Sequence, residues 1–430
     1  MEKTDKRYGL YQQILKEELV LAMGCTEPAA VAYCAAVARS VLQNPISLQE
    51  CRLVISGNVI KNVKSVVVPN TGGLKGLETA AAAGIAVGNA AAGLQVLAEV
   101  QDSQKQDIEA LLNRCRFTVQ PEHEHGVFYV EVNLTTSGET SRAVLEAYHT
   151  NLTQVEHNGK PVEVMPLCCE ETRNTQTYTD RSFMNLRDIL DFVQSVELAE
   201  VEALLERQVD CNLAISQEGL ENPWGAQVGR IMLSQENPDI YTRAAAAAAA
   251  GSDARMSGCE KPVAIISGSG NQGITASVPV AVYAKQIGAS REQMLRAVLA
   301  SDLVTIHQKT GIGRLSAFCG ATSAGVGAAC GIAYLDGAGY EEISHTIVNA
   351  LAILSGMICD GAKPSCAAKI AVAVKNGIFG SQMYRQGMQF YGGDGIVTKG
   401  VDNTIANVGR LAKKGMEATD HEILDIMVGC

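Results

Sequence analysis

The pattern of apolar and polar positions predicts two helices at the start of the chain. Apolar residues recur at helical spacing over residues 8–21. The chain then breaks at Gly24, and a second helix is predicted over residues 26–43, with Thr26 able to cap its first turn. These two segments are expected to join a larger helical domain.

Residues 44–209 carry a different pattern, which predicts an α/β domain with a partly antiparallel sheet. Small residues over 79–100 and an amphipathic run over 187–206 predict helices. Strands are predicted where β-branched residues cluster, and His-Gly, Ser-Gly and Asn-Gly pairs mark turns between some of them. The predicted strands cover residues 51–60, 63–68, 116–119, 127–135 and 162–165.

Helical patterns dominate residues 210–430, apart from an extended segment at 262–267 and the glycine-rich loop that follows it. The sequence therefore predicts an α+β protein with three parts. Residues 210–430 form a helical domain, residues 1–43 join it, and residues 44–209 form the smaller α/β domain. The site is expected between the domains, where small-molecule clefts commonly lie. The predicted helices of the helical domain cover residues 243–251, 275–286, 291–307, 316–335, 341–358 and 366–376.

Composition narrows the function classes. The chain has 35 Lys and Arg against 46 Asp and Glu, a net charge of −11, which argues against nucleic acid and anionic membrane surfaces as partners. Two uncharged stretches, 79–98 and 315–335, reach membrane-spanning length, but their Ala, Gly, Ser and Thr content favours helices buried in a protein core. The polar N-terminus carries no apolar leader, so a cytoplasmic location is expected.

The 13 cysteines are expected to be free thiols or metal ligands rather than disulfides in such a chain. Cys25 lies just before a predicted helix, where unpaired amides and the helix dipole favour a thiolate. The pattern allows a base, a nucleophile or a metal ligand at this position. It also allows a small buried residue in a tight turn.

Three further cysteines lie in turns between predicted helices. Cys359 and Cys366 form a C-x6-C loop, and Cys319 lies among small residues. Three thiolates from two turns can hold an iron–sulfur cluster. Free core cysteines are a competing interpretation, whereas structural zinc is disfavoured because paired C-x2-4-C knuckles are absent from the sequence.

Several polar residues are candidates for substrate binding. The glycine-rich loop containing Ser269, Asn271 and Gln272 can expose amides to a carboxylate, although a plain strand-to-helix turn has the same pattern. Arg255 can offer a fork to the same anion or form a surface ion pair. Further polar candidates are Asn58, Asn62 and Thr71, while His307 is interpreted as structural.

These segments together resemble the L-cysteine desulfidase family, which is related to the alpha domain of iron–sulfur L-serine dehydratases. The resemblance spans nearly the whole chain, because several long sequence motifs occur in the expected order. The motifs are MGCTEPAAVA at 23–32, NVIKNVKSVVVPNTGG at 58–73, CNLAISQEGL at 211–220, SDARM at 252–256, SGSGNQGITASVPV at 267–280, RLSAFCGATSAGVGAACG at 314–331 and SGMICDGAKPSCAAK at 355–369.

The resemblance implies a [4Fe–4S] cluster held by Cys319, Cys359 and Cys366, with Cys25 as catalytic base and no pyridoxal phosphate. The implied reaction is β-elimination of L-cysteine to sulfide, ammonia and pyruvate by an oxygen-sensitive enzyme. Cys430, the last residue, is a further candidate iron ligand, because some related serine dehydratases insert a C-terminal cysteine into the site. A frayed terminus is the simpler interpretation.

Two other functions stay open at this point. An L-serine dehydratase would bind the serine hydroxyl at the same iron, and the polarity of the pocket cannot be read from the sequence. A non-enzymatic iron–sulfur or thiol sensor is the alternative of another class, although no output module is recognisable. L-cysteine is the expected small-molecule partner, and a homodimer is a candidate assembly.

Overall fold

The computed structural model describes residues 1–122, 124–163 and 178–428. These residues form an α+β structure, which confirms the predicted class. The helices are α1 (Lys6–Glu18), α2 (Thr26–Ser40), α3 (Gly57–Val63), α4 (Leu77–Val87), α5 (Asp102–Arg114), α6 (Leu186–Ser195), α7 (Glu202–Glu221), α8 (Val228–Leu233), α9 (Ile240–Met256), α10 (Gly270–Ile287), α11 (Arg291–Ile312), α12 (Gly320–Leu335), α13 (Tyr340–Ile353), α14 (Cys366–Arg385), α15 (Val401–Arg410) and α16 (Glu417–Val428). The strands are β1 (Leu21–Met23), β2 (Leu48–Ser56), β3 (Arg116–Glu122), β4 (Tyr129–Thr136), β5 (Thr140–Glu146), β6 (Leu152–His157), β7 (Lys160–Pro161) and β8 (Pro262–Ala264).

The larger sheet is partly antiparallel, as predicted. Its order is β3-β2-β4-β5-β6-β7, with β2 parallel to β3 and antiparallel to β4. Alternate residues of β4, among them Val130, Val132 and Leu134, are fully buried and join α2 and α4 in one apolar core. The sheet therefore packs one face against helices, as an alternating pattern of burial requires.

A second core is helical and is built largely from small side chains. Helix α9 lies at its centre and contacts α7, α8, α10 and α14. All seven alanines from Ala244 to Ala250 are buried, since alanine lets neighbouring helices approach closely from every side. This dense packing makes the helical region a rigid support for the loops that leave it.

A two-stranded antiparallel pairing connects the start of the chain to the helical region. Strand β1 pairs with β8, with Leu21 opposite Ala264. The Ile265 N–H also donates to the Val20 carbonyl at 2.9 Å. The segment after β1 and the glycine-rich loop after β8 meet through a side-chain contact, because Thr26 Oγ1 donates to the Gly268 carbonyl at 2.9 Å.

Two predicted strands differ from the structure. Residues 57–63 form helix α3, and Val63–Val68 contributes only an isolated bridge between Val67 and Lys75. The β-branched side chains of Val59 and Val63 are buried in the sheet-region core, where a helix accommodates them equally well. The prediction failed because tertiary burial decided the outcome over local propensity. The predicted strand at 162–165 is also wrong in the part that the structure describes, because β7 ends at Pro161.

Most of the predicted helices differ in extent from the observed ones, and three of these differences change the description of the fold or the site. The helix predicted over 79–100 is two pieces, α4 and a 3-10 segment Ala90–Glu99, which meet at an angle of 112°. The run 187–206 is divided between α6 and α7 by the 3-10 turn Leu198–Glu200. The helix predicted over 243–251 instead continues to Met256, so Arg255 lies in its last turn rather than in a loop.

The buried cores group the chain differently from the predicted domain boundaries, which themselves stay a prediction. Helix α1 packs in the helical core, but α2 packs in the core of the sheet. Residues 184–209, assigned to the α/β domain from the sequence, bury Leu186, Ile189 and Phe192 in the helical core. Amphipathic periodicity identified these segments as helical but carried no information about their partners.

Among the residues in the structure, no single helix is both long and apolar enough to cross a membrane. The bent pair formed by Leu77–Val87 and Ala90–Glu99 passes that test only when its two pieces are taken together.

One buried polar pair lies inside the helical core. Asp302 of α11 accepts a hydrogen bond from Gln208 Nε2 at 2.9 Å, and both side chains are fully buried. The second oxygen of each group, Asp302 Oδ2 and Gln208 Oε1, has no hydrogen-bond partner. Burial raises the pKa of Asp302 to about 8, so its carboxyl is mainly protonated at neutral pH.

Candidate active site

Cys319 and Cys359 are held side by side by backbone hydrogen bonds between two inter-helix segments. The Cys319 N–H donates to the Met357 carbonyl at 2.9 Å, and the Cys359 N–H donates to the Ala317 carbonyl at 2.6 Å. A bridge between Phe318 and Ile358 lies between these bonds. Cys319 is also the N-cap of α12, so its position depends on both the helix and the bridge.

Cys366 approaches the same place from the first turn of α14. The loop between Cys359 and Cys366 turns at Gly361, which has φ +92°. A Cβ on Gly361 would lie 2.2 Å from the Lys61 carbonyl oxygen, so only glycine fits this contact with α3. Gly361 therefore lets the cysteine loop of the helical region lie directly on the sheet region.

The thiols influence each other electrostatically. A hydrogen bond from Cys319 lowers the pKa of Cys359, and the Lys61 ammonium lowers it further against the effect of burial. The same Cys359 contact and burial raise the pKa of Cys319. Burial raises the pKa of Cys366. One thiolate of this group therefore forms more readily than the others.

Cys25 lies at the start of α2, where the sequence placed it, but Cys25 itself rather than Thr26 is the N-cap. Its side chain is 2% exposed and packs with Val66, Met256, Ala362 and Cys366. Burial raises the pKa of the Cys25 thiol to about 12, while Arg255 opposes this effect. The expected thiolate is therefore not favoured by the helix start alone, because desolvation outweighs it.

Arg255 extends from the end of α9 toward Cys25. Its Nη1 donates to Asn271 Oδ1 at 3.1 Å, and its buried Nε has no hydrogen-bond partner. A Cβ on Gly270 would lie 2.5 Å from Nε, so this glycine makes room for the guanidinium. Ser269, the N-cap of α10, and Gln272, in the first turn of that helix rather than in a loop as predicted, line the same cavity. Gln272 Oε1 is buried without a partner.

Glu27 adds a carboxylate in the first turn of α2. Its oxygens accept hydrogen bonds from Thr26 Oγ1 at 2.9 Å and Asn62 Nδ2 at 3.3 Å, and His149 Nε2 lies 3.8 Å away. Burial would raise the pKa of Glu27, but His149 and Thr26 outweigh it, so the pKa is lowered. Glu27 is therefore ionised at neutral pH although it is 7% exposed.

Two cations approach the cavity from the end of α11. Arg314 pairs with Glu18 at 3.1 Å and lies 4.2 Å above the Tyr178 ring centroid. Lys309 is 3% exposed, and burial lowers its pKa to about 8 against the opposing effect of Cys359 and Cys319. Sequence analysis missed Lys309, Arg314 and Glu27. The signals available were two basic residues, one in the last turn of α11 and one just after the helix, and the acid inside the GCTEP segment.

These side chains surround one cavity of about 740 Å³, including the part open to solvent. Four of the five cysteines selected from the sequence line it, namely Cys25, Cys319, Cys359 and Cys366. The predicted binding residues Arg255, Ser269, Asn271 and Gln272 line it as well. The cavity lining is completed by Thr26, Glu27, Asn62, Gly268, Lys309, Arg314, Leu315, Ser316, Phe318, Gly320, Ala321, Gly361, Ala362 and Ile370.

Other sequence candidates lie elsewhere. Asn58 Nδ2 donates to Asp420 of α16, and Thr71 Oγ1 donates to the Val68 carbonyl, so neither lines this cavity. Nε2 of His307 lies 2.8 Å from Asp402 Oδ1. Cys430 falls outside the residues that the structure describes. The ten cysteines described are all free thiols.

The cavity is lined by three thiols of the type that serve as ligands in iron–sulfur clusters. Across residues 1–122, 124–163 and 178–428, no three His, Cys, Asp or Glu side chains converge to hold a single ion. Cys319, Cys359 and Cys366 instead surround a cavity, and each thiolate of a cluster binds a different iron. Soft thiolate donors of this kind fit iron–sulfur chemistry.

Comparisons with known proteins identify the family of the chain. Residues 91–425 match the sequence model of the serine dehydratase alpha chain, a stretch that includes Cys319, Cys359 and Cys366 but not Cys25 or Glu27. A UPF0597 protein of Desulfitobacterium hafniense is 50% identical over 428 residues, covering 100% of this chain and 98% of its own. A UPF0597 protein of Treponema denticola is 42% identical and covers 100% of both chains.

Proposed function

Because the chain belongs to the serine dehydratase alpha chain family, we propose that it is an iron–sulfur-dependent lyase that eliminates sulfide from L-cysteine. The observation that carries the proposal is the convergence of Cys319, Cys359 and Cys366 with a fourth buried thiol, Cys25, on one cavity. Three thiols serve as ligands, and the fourth is left for proton transfer. The products are sulfide, ammonia and pyruvate.

Cys319, Cys359 and Cys366 would hold the cluster. When bound, a [4Fe–4S] cluster with three thiolate ligands supplies an iron with an open position, which acts as a Lewis acid toward the leaving sulfur. The chain's own contribution is to fix the three thiols through two helix starts and the bridge between Phe318 and Ile358.

Cys25 is the proposed base that removes the Cα proton. Burial raises the pKa of the Cys25 thiol to about 12, so the group rests as a thiol and must first lose its proton, a step that the Arg255 guanidinium favours. The thiolate that results is a strong base, which an unactivated Cα–H needs. The electron pair of the broken C–H bond forms the Cα–Cβ double bond, and the C–S pair leaves with sulfur. The resulting aminoacrylate tautomerises and reacts with one water to give pyruvate and ammonia.

Arg255 and the glycine-rich loop supply donors on the Cys25 side of the cavity. The unpartnered Nε of Arg255 favours negative charge on the Cys25 thiolate or on the substrate beside it. Asn271 holds the guanidinium through its Oδ1. Ser269 and Gln272 offer further polar contacts to the substrate, and such preorganised donors contribute to lowering an elimination barrier.

L-serine is the second candidate substrate, favoured by the name of the matching family. The test uses full-length protein reconstituted anaerobically with iron and sulfide, supplied with L-cysteine or L-serine. We expect equal amounts of sulfide and pyruvate from cysteine and a much lower rate of pyruvate release from serine. Cys25→Ala serves as the inactive variant, and Cys34→Ala is its matched control, since Cys34 is a buried thiol of the same helix outside the cavity.

The outcomes separate the candidates. Faster pyruvate release from serine than from cysteine would make the protein a serine dehydratase. No pyruvate from either substrate by iron-loaded protein would contradict the proposed lyase and favour the non-enzymatic sensor.

A further inference from the structure

Lys309 is a buried cation of the cavity without a charged partner. Its residue is 3% exposed, and it has no hydrogen bond or ion pair to any residue that the structure describes. The neighbouring Arg314 is paired with Glu18 at 3.1 Å, and Arg255 donates to Asn271. Because burying an unpaired ammonium is costly, a cation left in this state is suited to an anionic ligand.

Glu27 is a buried anion of the same cavity and complements the Lys309 cation. It is the one carboxylate that lines the cavity among the described residues. Thr26 and Asn62 supply neutral donors, and its sole ionic partner in this part of the chain is His149, 3.8 Å away. That distance is too long for a hydrogen bond. No Lys or Arg of the described chain pairs with it, so its charge is incompletely balanced.

The lining of the cavity therefore combines one unpaired cation, Lys309, and one weakly paired anion, Glu27. A small ligand carrying both an ammonium and a carboxylate would satisfy both groups at once. A ligand with only one charge would leave either Glu27 or Lys309 without its partner, which costs free energy in a buried site. The charge pattern is that of a receptor for a free α-amino acid.

We propose, building on the lyase activity proposed above, that Glu27 binds the substrate α-ammonium and Lys309 binds the substrate α-carboxylate. Glu27 lies two residues after Cys25 at the start of α2, so the ammonium subsite and the base belong to one rigid element. Holding both charges orients Cα relative to Cys25. It also disfavours cysteine within a peptide, where the α-amino or α-carboxyl group is part of an amide, and thiols that lack either charge.

The test compares three thiols that differ only in charge. L-cysteine carries both groups, 3-mercaptopropionate lacks the ammonium, and cysteamine lacks the carboxylate. Binding is measured anaerobically by calorimetry with the iron-loaded Cys25→Ala protein, which does not turn L-cysteine over. We expect this protein to bind L-cysteine about tenfold to a hundredfold more tightly than either analogue, the range expected for one charge-assisted hydrogen bond.

Two variants should give a crossed pattern. Glu27→Gln should reduce the preference for L-cysteine over 3-mercaptopropionate while keeping the preference over cysteamine. Lys309→Met should do the reverse. Glu27→Asp and Lys309→Arg, which keep the charges, should retain both preferences in weakened form. Glu341→Gln and Lys375→Met are matched controls, because both residues are exposed on the surface and should leave every preference unchanged.

Retention of both preferences in Glu27→Gln and Lys309→Met would overturn the assignment, as would an equal loss of both preferences in each folded variant. If Glu27→Gln or Lys309→Met fails to bind iron, the ligand preferences of Glu27→Asp or Lys309→Arg are used to test the assignment. Sulfide release by wild-type protein is scored separately. The crossed pattern without sulfide release would contradict the lyase and keep the subsites, whereas sulfide release with unchanged preferences would contradict the subsites alone.

Discussion

The two regions of the molecule contribute different chemistry to one cavity. The helical region presents Cys319, Cys359 and Cys366 on inter-helix turns pinned by backbone hydrogen bonds. The region built on the sheet presents Cys25 and Glu27 from α2, within a network of hydrogen-bonded side chains. Soft donors thus come from one side and proton-transfer and charge-pairing groups from the other. This division implies that ligand binding and turnover can be separated by mutation.

Replacing a cluster cysteine should give the largest effect. Cys319→Ala, Cys359→Ala and Cys366→Ala should each abolish both bound iron and activity, because three thiolates are needed to hold the group. Iron and acid-labile sulfide content, with the visible spectrum, measure the result. Cys330→Ala is the matched control, since Cys330 is a buried thiol of α12 outside the cavity. Full iron and sulfide content in all three variants would contradict the assignment of these cysteines as cluster ligands.

Cys25→Ala should lower activity by about 10² to 10⁴, the usual contribution of a general base, and should leave the iron content unchanged. L-cysteine should still perturb the visible spectrum, but its Cα proton should not exchange with deuterated solvent. Two other outcomes for this variant would contradict the assignment of proton transfer to the sheet region. Loss of iron would assign Cys25 to the ligand set of the helical region, and normal turnover would reduce it to packing.

The contact between the two regions is tested at Gly361. Gly361→Ala should destabilise the protein by about 2–4 kcal/mol and weaken iron retention, because the residue has φ +92° and its Cβ would overlap the Lys61 carbonyl. Urea unfolding and iron content measure both effects. Gly356→Ala, with no atom within 4 Å of the new Cβ, is the control from the same inter-helix segment. Equal stability of the two variants would show that the regions do not depend on this close approach.

The smallest expected effect concerns the helical core and pH. The pKa of Asp302 is raised from 3.8 to about 8 in the folded state. Its proton therefore stabilises the fold fully below pH 4, and this contribution falls as pH rises toward 8. Asp302→Asn should be more stable than wild type at pH 9 by about 1–3 kcal/mol and show a flatter pH dependence. The midpoints of urea unfolding at pH 5 and pH 9 measure this difference. The same pH dependence of stability in both proteins would contradict the buried proton.

The sequence indicated much of the site because its signals are local. Cys25 before a helix and the C-x6-C loop between helices are visible within a few residues of each chemical group. Helix α3 was not predicted, because its valines and isoleucine have the composition of a strand and only their burial decides the outcome. The bend at Gly88 was also missed, since small residues continue across it without a change of pattern.

The charged residues of the cavity show a second limit. Lys309 and Glu27 are unusual because their charges lack full partners, and the pairing of a charge depends on side chains far away in sequence. Arg314 illustrates this, since its partner Glu18 is 296 residues distant. A sequence shows which residues are charged, but only the folded chain shows which charges remain for a ligand.

The alanine run of α9 has a consequence for inherited variation. Every single-nucleotide change in an alanine codon that alters the residue gives Val, Thr, Ser, Pro, Gly, Asp or Glu. Ala244 to Ala250 are buried in a helix that four other helices contact. Larger residues would overpack there, acids would bury a charge, and proline or glycine would weaken the helix. Few single-nucleotide substitutions in these seven codons are therefore tolerated. New sequence variants should accumulate elsewhere in the chain first.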